Sequence, residues 1–88
     1  MLSFYKAAKA GYLERVIEIV KQGVDKNQVG GEYGMTALSV ASKYDHIDVV
    51  QYLVEQGADI EKGNTKGAFL TPLHYAAMEG NFEVARYL

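Results

Sequence analysis

The sequence has no cysteine, no tryptophan and a single proline, and its acidic and basic residues nearly cancel, at a formal net charge of −2. Without cysteine there is no disulfide framework and no thiolate metal site, and the chain suits a reducing compartment. The balanced charge leaves no basic field. Roughly six to ten phosphate contacts would need clustered Lys and Arg, so nucleic acid and anionic membrane surfaces are not expected partners. No apolar run approaches the roughly 18 residues of a membrane span. Lys6 and Lys9 interrupt the short apolar pairs near the N-terminus, so neither membrane insertion nor a signal peptide is expected. Long linkers and low-complexity segments are also missing. The expected location is intracellular, cytoplasmic or nuclear.

What remains is ordinary for a globular chain, 49% hydrophobic and 23% charged, which argues against disorder. A chain of this size suits one small domain that buries only about 60–65% of its unfolded surface, so marginal stability is expected.

One pattern recurs three times, over Ala7 to Asp25, Ala41 to Asp59, and from Ala76 onward. Leu13, Ile47 and Phe82 are equivalent, as are Val16, Val50 and Ala85, and Ile19, Leu53 and Leu88, at spacings of 34 and then 35 residues. A period of this length marks stacked supersecondary units. Stacked repeats usually bind and seldom catalyse. In the middle unit Leu38 and Ala41 share one helical face, Asp45 and His46 break the pattern, and Ile47, Val50, Leu53 and Val54 form a second apolar stripe. The spacing therefore predicts a short helix, a turn and another short helix. Thr36 and Thr71 are placed as helix N-caps, with Pro72 at a first helical position where its missing donor is harmless.

Gly11, Asp45 and Gly80 fall where the first helix must stop and the chain reverse, a place for the left-handed conformation that Asp tolerates less well than Gly. Gly23-Val24-Asp25 and Gly57-Ala58-Asp59 end the second helices. The segments after them, rich in Gly, Asn, Asp and Lys, read as protruding turns or hairpins. Small Ala7, Ala41, Ala76 and Ala77 in the first helices are expected to let neighbouring units approach closely.

The third unit, Thr71-Pro72-Leu73-His74-Tyr75-Ala76-Ala77 followed by Glu79-Gly80-Asn81, together with the Gly57-Ala58-Asp59 turn, resembles the ankyrin repeat. The resemblance covers nearly the whole chain. It implies an all-α solenoid of helix-turn-helix units with protruding β-hairpin or loop fingers: one domain over 1–88, with a capping repeat at 1–27, a second repeat at 28–62 and a truncated third at 63–88. The connections are one and two residues longer than the family's usual length, which places the additions around Val29 to Glu32 and Gly63 to Phe69. Loop insertions cost little, so the stack should survive them. Arg15, where the later units have Val49 and Val84, fits an outer face that meets water. Leu88 stands inside a second helix with no polar cap after it. We expect that C-terminal face, with Val84 and Leu88, to meet a further repeat or a second copy of the chain.

No chemistry-bearing motif stands out. The resemblance makes His74 a structural imidazole that bonds at the helix start and toward the next unit; Ser39 holds its place in the middle unit, and His46 reads as a helix-entry contact. Two histidines in separate units form no metal signature. Gly30-Gly31 and Gly34 belong to a finger and not to a phosphate loop. Glu14, Asp48 and Glu83 recur once per unit, which marks a structural position at a helix start. No hydroxyl has a recognisable base, so neither catalysis nor a cofactor is expected.

By resemblance, recognition falls to the fingertips and the exposed side of the first helices, which holds a protein partner. Those positions are Glu32, Tyr33 and Met35 with Lys43 and Tyr44; then Phe69 and Leu70, beside Ala68, with Met78 and Glu79; and Lys9, beside Ala10, in the first unit. Tyr, Phe and Met are favoured at interface hot spots. A competing reading has Met35, Phe69 and Leu70 packing the longer fingers onto their own helices. The whole is read as a non-catalytic protein-binding module or, alternatively, as the targeting or regulatory arm of a longer enzyme, channel or effector.

Overall fold

Ser3, Thr36 and Thr71 each open a seven-residue helix, because each hydroxyl accepts the backbone N–H three residues on, at 3.2, 3.0 and 3.4 Å. A computed structural model describes residues 2–88. In chain order its elements are α1 (Phe4–Ala10), α2 (Leu13–Lys21), β1 (Val29–Gly30), β2 (Met35–Thr36), α3 (Ala37–Lys43), α4 (Ile47–Glu55), α5 (Pro72–Met78) and α6 (Phe82–Tyr87). The first unit thus has its own cap, Ser3, although it lacks the Thr-Pro opening.

The reversals between paired helices use the left-handed region as the sequence requires: Gly11 at φ 78°, Asp45 at 62° and Gly80 at 72°. Asp45 is the one non-glycine residue with positive φ among the described residues. Helix α3 lies between α1 and α5, and α4 between α2 and α6, so the chain stacks as two layers of short helices. Val16, Val50, Leu53 and Val84 are fully buried between them.

Equivalent positions in successive units show what stacking covers. Leu38 is 1% exposed, whereas its counterpart Leu73 in the third unit is 47% exposed. Ser42 is buried and its counterpart Ala77 is exposed. Ala77 therefore does not sit between units, as expected above, but on the open side of α5. The expectation for Val84 also needs correction. Val84 faces α4 and is fully buried within the chain, so the open face is carried by Leu73, Ala77 and the half-buried Leu88. Arg15, equivalent to the buried Val49, lies partly exposed at the opposite end, 3.8 Å from Glu18.

The two fingers differ. The first is a minimal antiparallel hairpin, with Val29 opposite Thr36 and Gly30 opposite Met35. The second, over residues 63–70, forms no strand. It is organised by the buried Asn64, whose Oδ1 accepts the Leu70 N–H at 2.7 Å while its Nδ2 donates to the Lys66 carbonyl. The Asn64 N–H in turn donates to the Leu70 carbonyl at 3.0 Å.

Candidate partner-binding surface

The first finger rests on α1. Gly30 and Gly31 lie against Tyr5 so closely that a Cβ on Gly30 would stand 2.8 Å from the Tyr5 Cβ and one on Gly31 2.5 Å from its ring, so a larger residue at either would force the Tyr5 side chain to shift. The second finger rests on the first. The Thr65 N–H donates to the Gly34 carbonyl at 3.0 Å and the Lys66 N–H to the Tyr33 carbonyl at 3.1 Å. The two fingers are thereby tied edge to edge, and a groove opens between them and the first helices.

Two adjoining cavities occupy this groove and share Tyr33, Met35 and Lys43. The inner one, about 260 Å³, opens to solvent and is lined also by Lys66, Leu70 and Tyr75. The outer one, about 310 Å³, is bounded by Tyr5, Lys9, Glu32 and Tyr44. Tyr33 and Tyr44 stand 56% and 45% exposed. The Tyr44 ring is flanked by two ammonium groups, Lys9 Nζ at 5.6 Å and Lys43 Nζ at 5.3 Å from its centroid, within cation–π range. Lys43 Nζ also lies 3.5 Å from Glu79 Oε2, which carries the row of charges onto the third unit. Burial pushes the Tyr75 phenol above its ordinary value, with the nearby Lys43 charge acting in the opposite direction.

The expected surface residues divide accordingly. Lys9, Glu32, Tyr33, Lys43 and Tyr44 meet around the outer cavity, and Glu79 joins them through Lys43. Met35, read from the sequence either as a surface position or as packing its finger onto the helices, is only 3% exposed and forms the floor of both cavities, because the short β2 strand turns it toward the core. Leu70 is half-buried in the wall of the inner cavity. Phe69 is exposed, but its ring lies over Gly63, outside the groove. Met78 is exposed and lines neither cavity.

Residues 4–88 match the sequence profile of a family described as ankyrin repeats, in three copies. The chain belongs to the ankyrin-repeat family. It is 40% identical over 82 residues to ankyrin repeat and KH domain-containing protein mask-1 of Caenorhabditis elegans, which covers 93% of this chain and 3% of that protein. It is 42% identical over 62 residues to ankyrin repeat domain-containing protein 40 of Mus musculus, 70% of this chain and 17% of that one. It is 38% identical over 66 residues to the E3 ubiquitin-protein ligase Ufd4 of Drosophila melanogaster, 75% of this chain and 2% of the ligase. The chain thus spans under a fifth of the length of each of these relatives.

Within this ankyrin stack His74 completes a capping box: its Nδ1 accepts the Thr71 N–H at 2.9 Å. Among the described residues it makes no hydrogen bond to another unit. Two polar links between helices of successive units come instead from His46, read from the sequence as a helix-entry contact, and from Asn81. The His46 ring reaches the Lys9 carbonyl at 2.8 Å, and Asn81, its equivalent one unit later, donates to the Ser42 and Lys43 carbonyls at 2.8 and 3.0 Å. Tyr5, Asn64, Lys66 and Tyr75, which complete the groove, were not anticipated either. Their signal was faint: an aromatic or a polar residue inside a finger or a first helix reads equally well as packing. No helix among the described residues is long and apolar enough to cross a membrane.

Proposed function

We propose that this ankyrin-repeat chain is a non-catalytic module that holds a protein partner in the groove between its fingers and first helices. One observation carries the reading. Tyr33 and Tyr44 stand exposed at the rims of two adjoining cavities floored by a buried methionine. Rigid aromatics around a recess are the usual makings of a binding hot spot. An ordinary stable interface takes about 800 Å² from each partner, an area that three repeats are able to offer. The absence of cysteine supports an intracellular setting.

The test starts from peptides selected by display against the folded chain. Tyr33→Ser together with Tyr44→Ser should weaken selected binders by roughly tenfold or more in titration calorimetry, with the circular dichroism spectrum unchanged. Undiminished affinity would remove the groove from consideration.

A second reading, that of a targeting or regulatory arm of a longer protein, is favoured by the small share of each relative that the chain covers and by one relative being a ubiquitin ligase. The coding sequence around the 88 codons decides it. A catalytic domain in the same frame supports this reading, and further repeats with a polar cap alone do not.

A further inference from the structure

Resting on the groove as the recognition surface, we propose that its occupant is an extended acidic segment bearing an aliphatic or aromatic side chain, which enters the inner cavity while its carboxylates meet Lys9, Lys43 and Lys66.

Shape and charge point to the same occupant. The inner cavity measures about 260 Å³ and has mostly apolar walls. A dry cavity of about 150 Å³ is enough for a benzene-sized group, so this one admits a single large apolar side chain. The two cavities adjoin through Tyr33, Met35 and Lys43, which suits an extended chain whose alternate residues point the same way.

Charge then selects the sign of the partner. The groove carries Lys9, Lys43 and Lys66 against Glu32 and Glu79, a net positive strip on a chain whose overall charge is −2. Among the described residues neither Lys9 nor Lys66 lies within ion-pair distance of a carboxylate. The Lys9 ammonium instead rests over Tyr44, free to accept an incoming anion. Lys43 reaches both cavities, and its one carboxylate partner is Glu79, in a partly exposed pair at 3.5 Å. Such pairs are weak and exchange readily, so an incoming carboxylate is able to take the place of Glu79. Like-charge contact with three lysines works against a basic segment.

The 88-residue chain is titrated with three fluorescein-labelled peptides, DEDLDFDE, KRKLKFKR and DEDSDSDE, followed by anisotropy and by backbone amide shifts. The acidic apolar peptide should bind and shift the amides of Tyr33, Lys43, Lys66 and Leu70. Serine in place of its two apolar residues should weaken it by about tenfold. Raising salt from about 50 to about 500 mM should weaken it several-fold. Glu79→Gln, which frees Lys43 and removes a repelling charge, should tighten it, a gain that loss of folding cannot produce.

Equal or tighter binding of the basic peptide at the same amides overturns the acidic class and leaves the groove as the recognition surface. The same shifts from the serine peptide at equal affinity overturn the role of the inner cavity. Absence of shifts with every peptide overturns the proposal, and shifts confined to the outer sides of α2, α4 and α6 overturn the groove as well.

Discussion

The Nε2 atom of His46 lies 2.8 Å from the main-chain carbonyl oxygen of Lys9, across the boundary between the first and second units. A carbonyl only accepts, so Nε2 carries the hydrogen and donates it. Lys9 is in the last turn of α1, where a carbonyl has no partner inside its own helix. Asn81 serves Lys43 in the same way at the next boundary, so one unit caps the helix of the unit before it.

His46→Ala should therefore lower stability by about 1–2 kcal/mol, since it leaves that carbonyl without its donor. His46→Asn, which copies the residue at 81, should recover most of the loss. Chemical denaturation midpoints measure both, and equal stability of all three proteins would show that the bond contributes nothing.

Gly11 and Gly80 allow a matched comparison. Both have positive φ, but a Cβ on Gly11 would meet the His46 ring at 2.5 Å, whereas one on Gly80 would meet nothing within 4 Å. Alanine at either site carries the left-handed penalty of about 1–2 kcal/mol. Gly11→Ala should lose further stability because the ring must move and its bond to Lys9 break, a loss of the order of 1 kcal/mol or more. Thermal unfolding of the two variants checks the difference, which should shrink in a His46→Ala background.

Ser39 Oγ is buried with no hydrogen-bond partner among the described residues. Removing an unpaired buried hydroxyl relieves its desolvation, so Ser39→Ala should stabilise the chain by about 1 kcal/mol, a rise of roughly 4–8 °C in Tm for a domain of this size. A lower Tm would show that the hydroxyl has a partner in solution.

Leu38 and Leu73 occupy the same place in successive units, one covered and one open. Leu38→Ala should cost about 2–5 kcal/mol, as should Leu53→Ala in the same interior. Leu73→Ala should cost under about 1 kcal/mol, because its side chain is still half in water. Similar losses at 38 and 73 would mean that the third unit's open face is covered in solution.

The helices were legible in the sequence because their signals are local and repeat. Two threonine caps at 36 and 71, three reversals at 11, 45 and 80, and one apolar stripe per unit each point to the same register, whereas the cap at Ser3 carries no Thr-Pro signal. The left-handed Asp45 was readable from its two glycine counterparts alone. The groove was legible only in part. Tyr33, Tyr44 and Lys43 follow from their places in the repeat, but Met35 belongs to a finger whose length departs from the pattern, and neither exposure nor burial follows from its neighbours. The bonds from Thr65 and Lys66 to the first finger join residues about thirty apart, and those of Asn64 hold irregular backbone within the second finger; no periodicity encodes such contacts. The reach of His46 to Lys9 was hidden for the same reason: a turn residue's partner lies in another unit.

The most direct test of the account is cross-saturation NMR on the isotope-labelled chain bound to a display-selected protein or peptide. Saturation should pass from the partner to the amides of Tyr33, Lys43, Tyr44 and Lys66 along the groove. Transfer confined to the outer sides of α2, α4 and α6, with the fingers untouched, would contradict it.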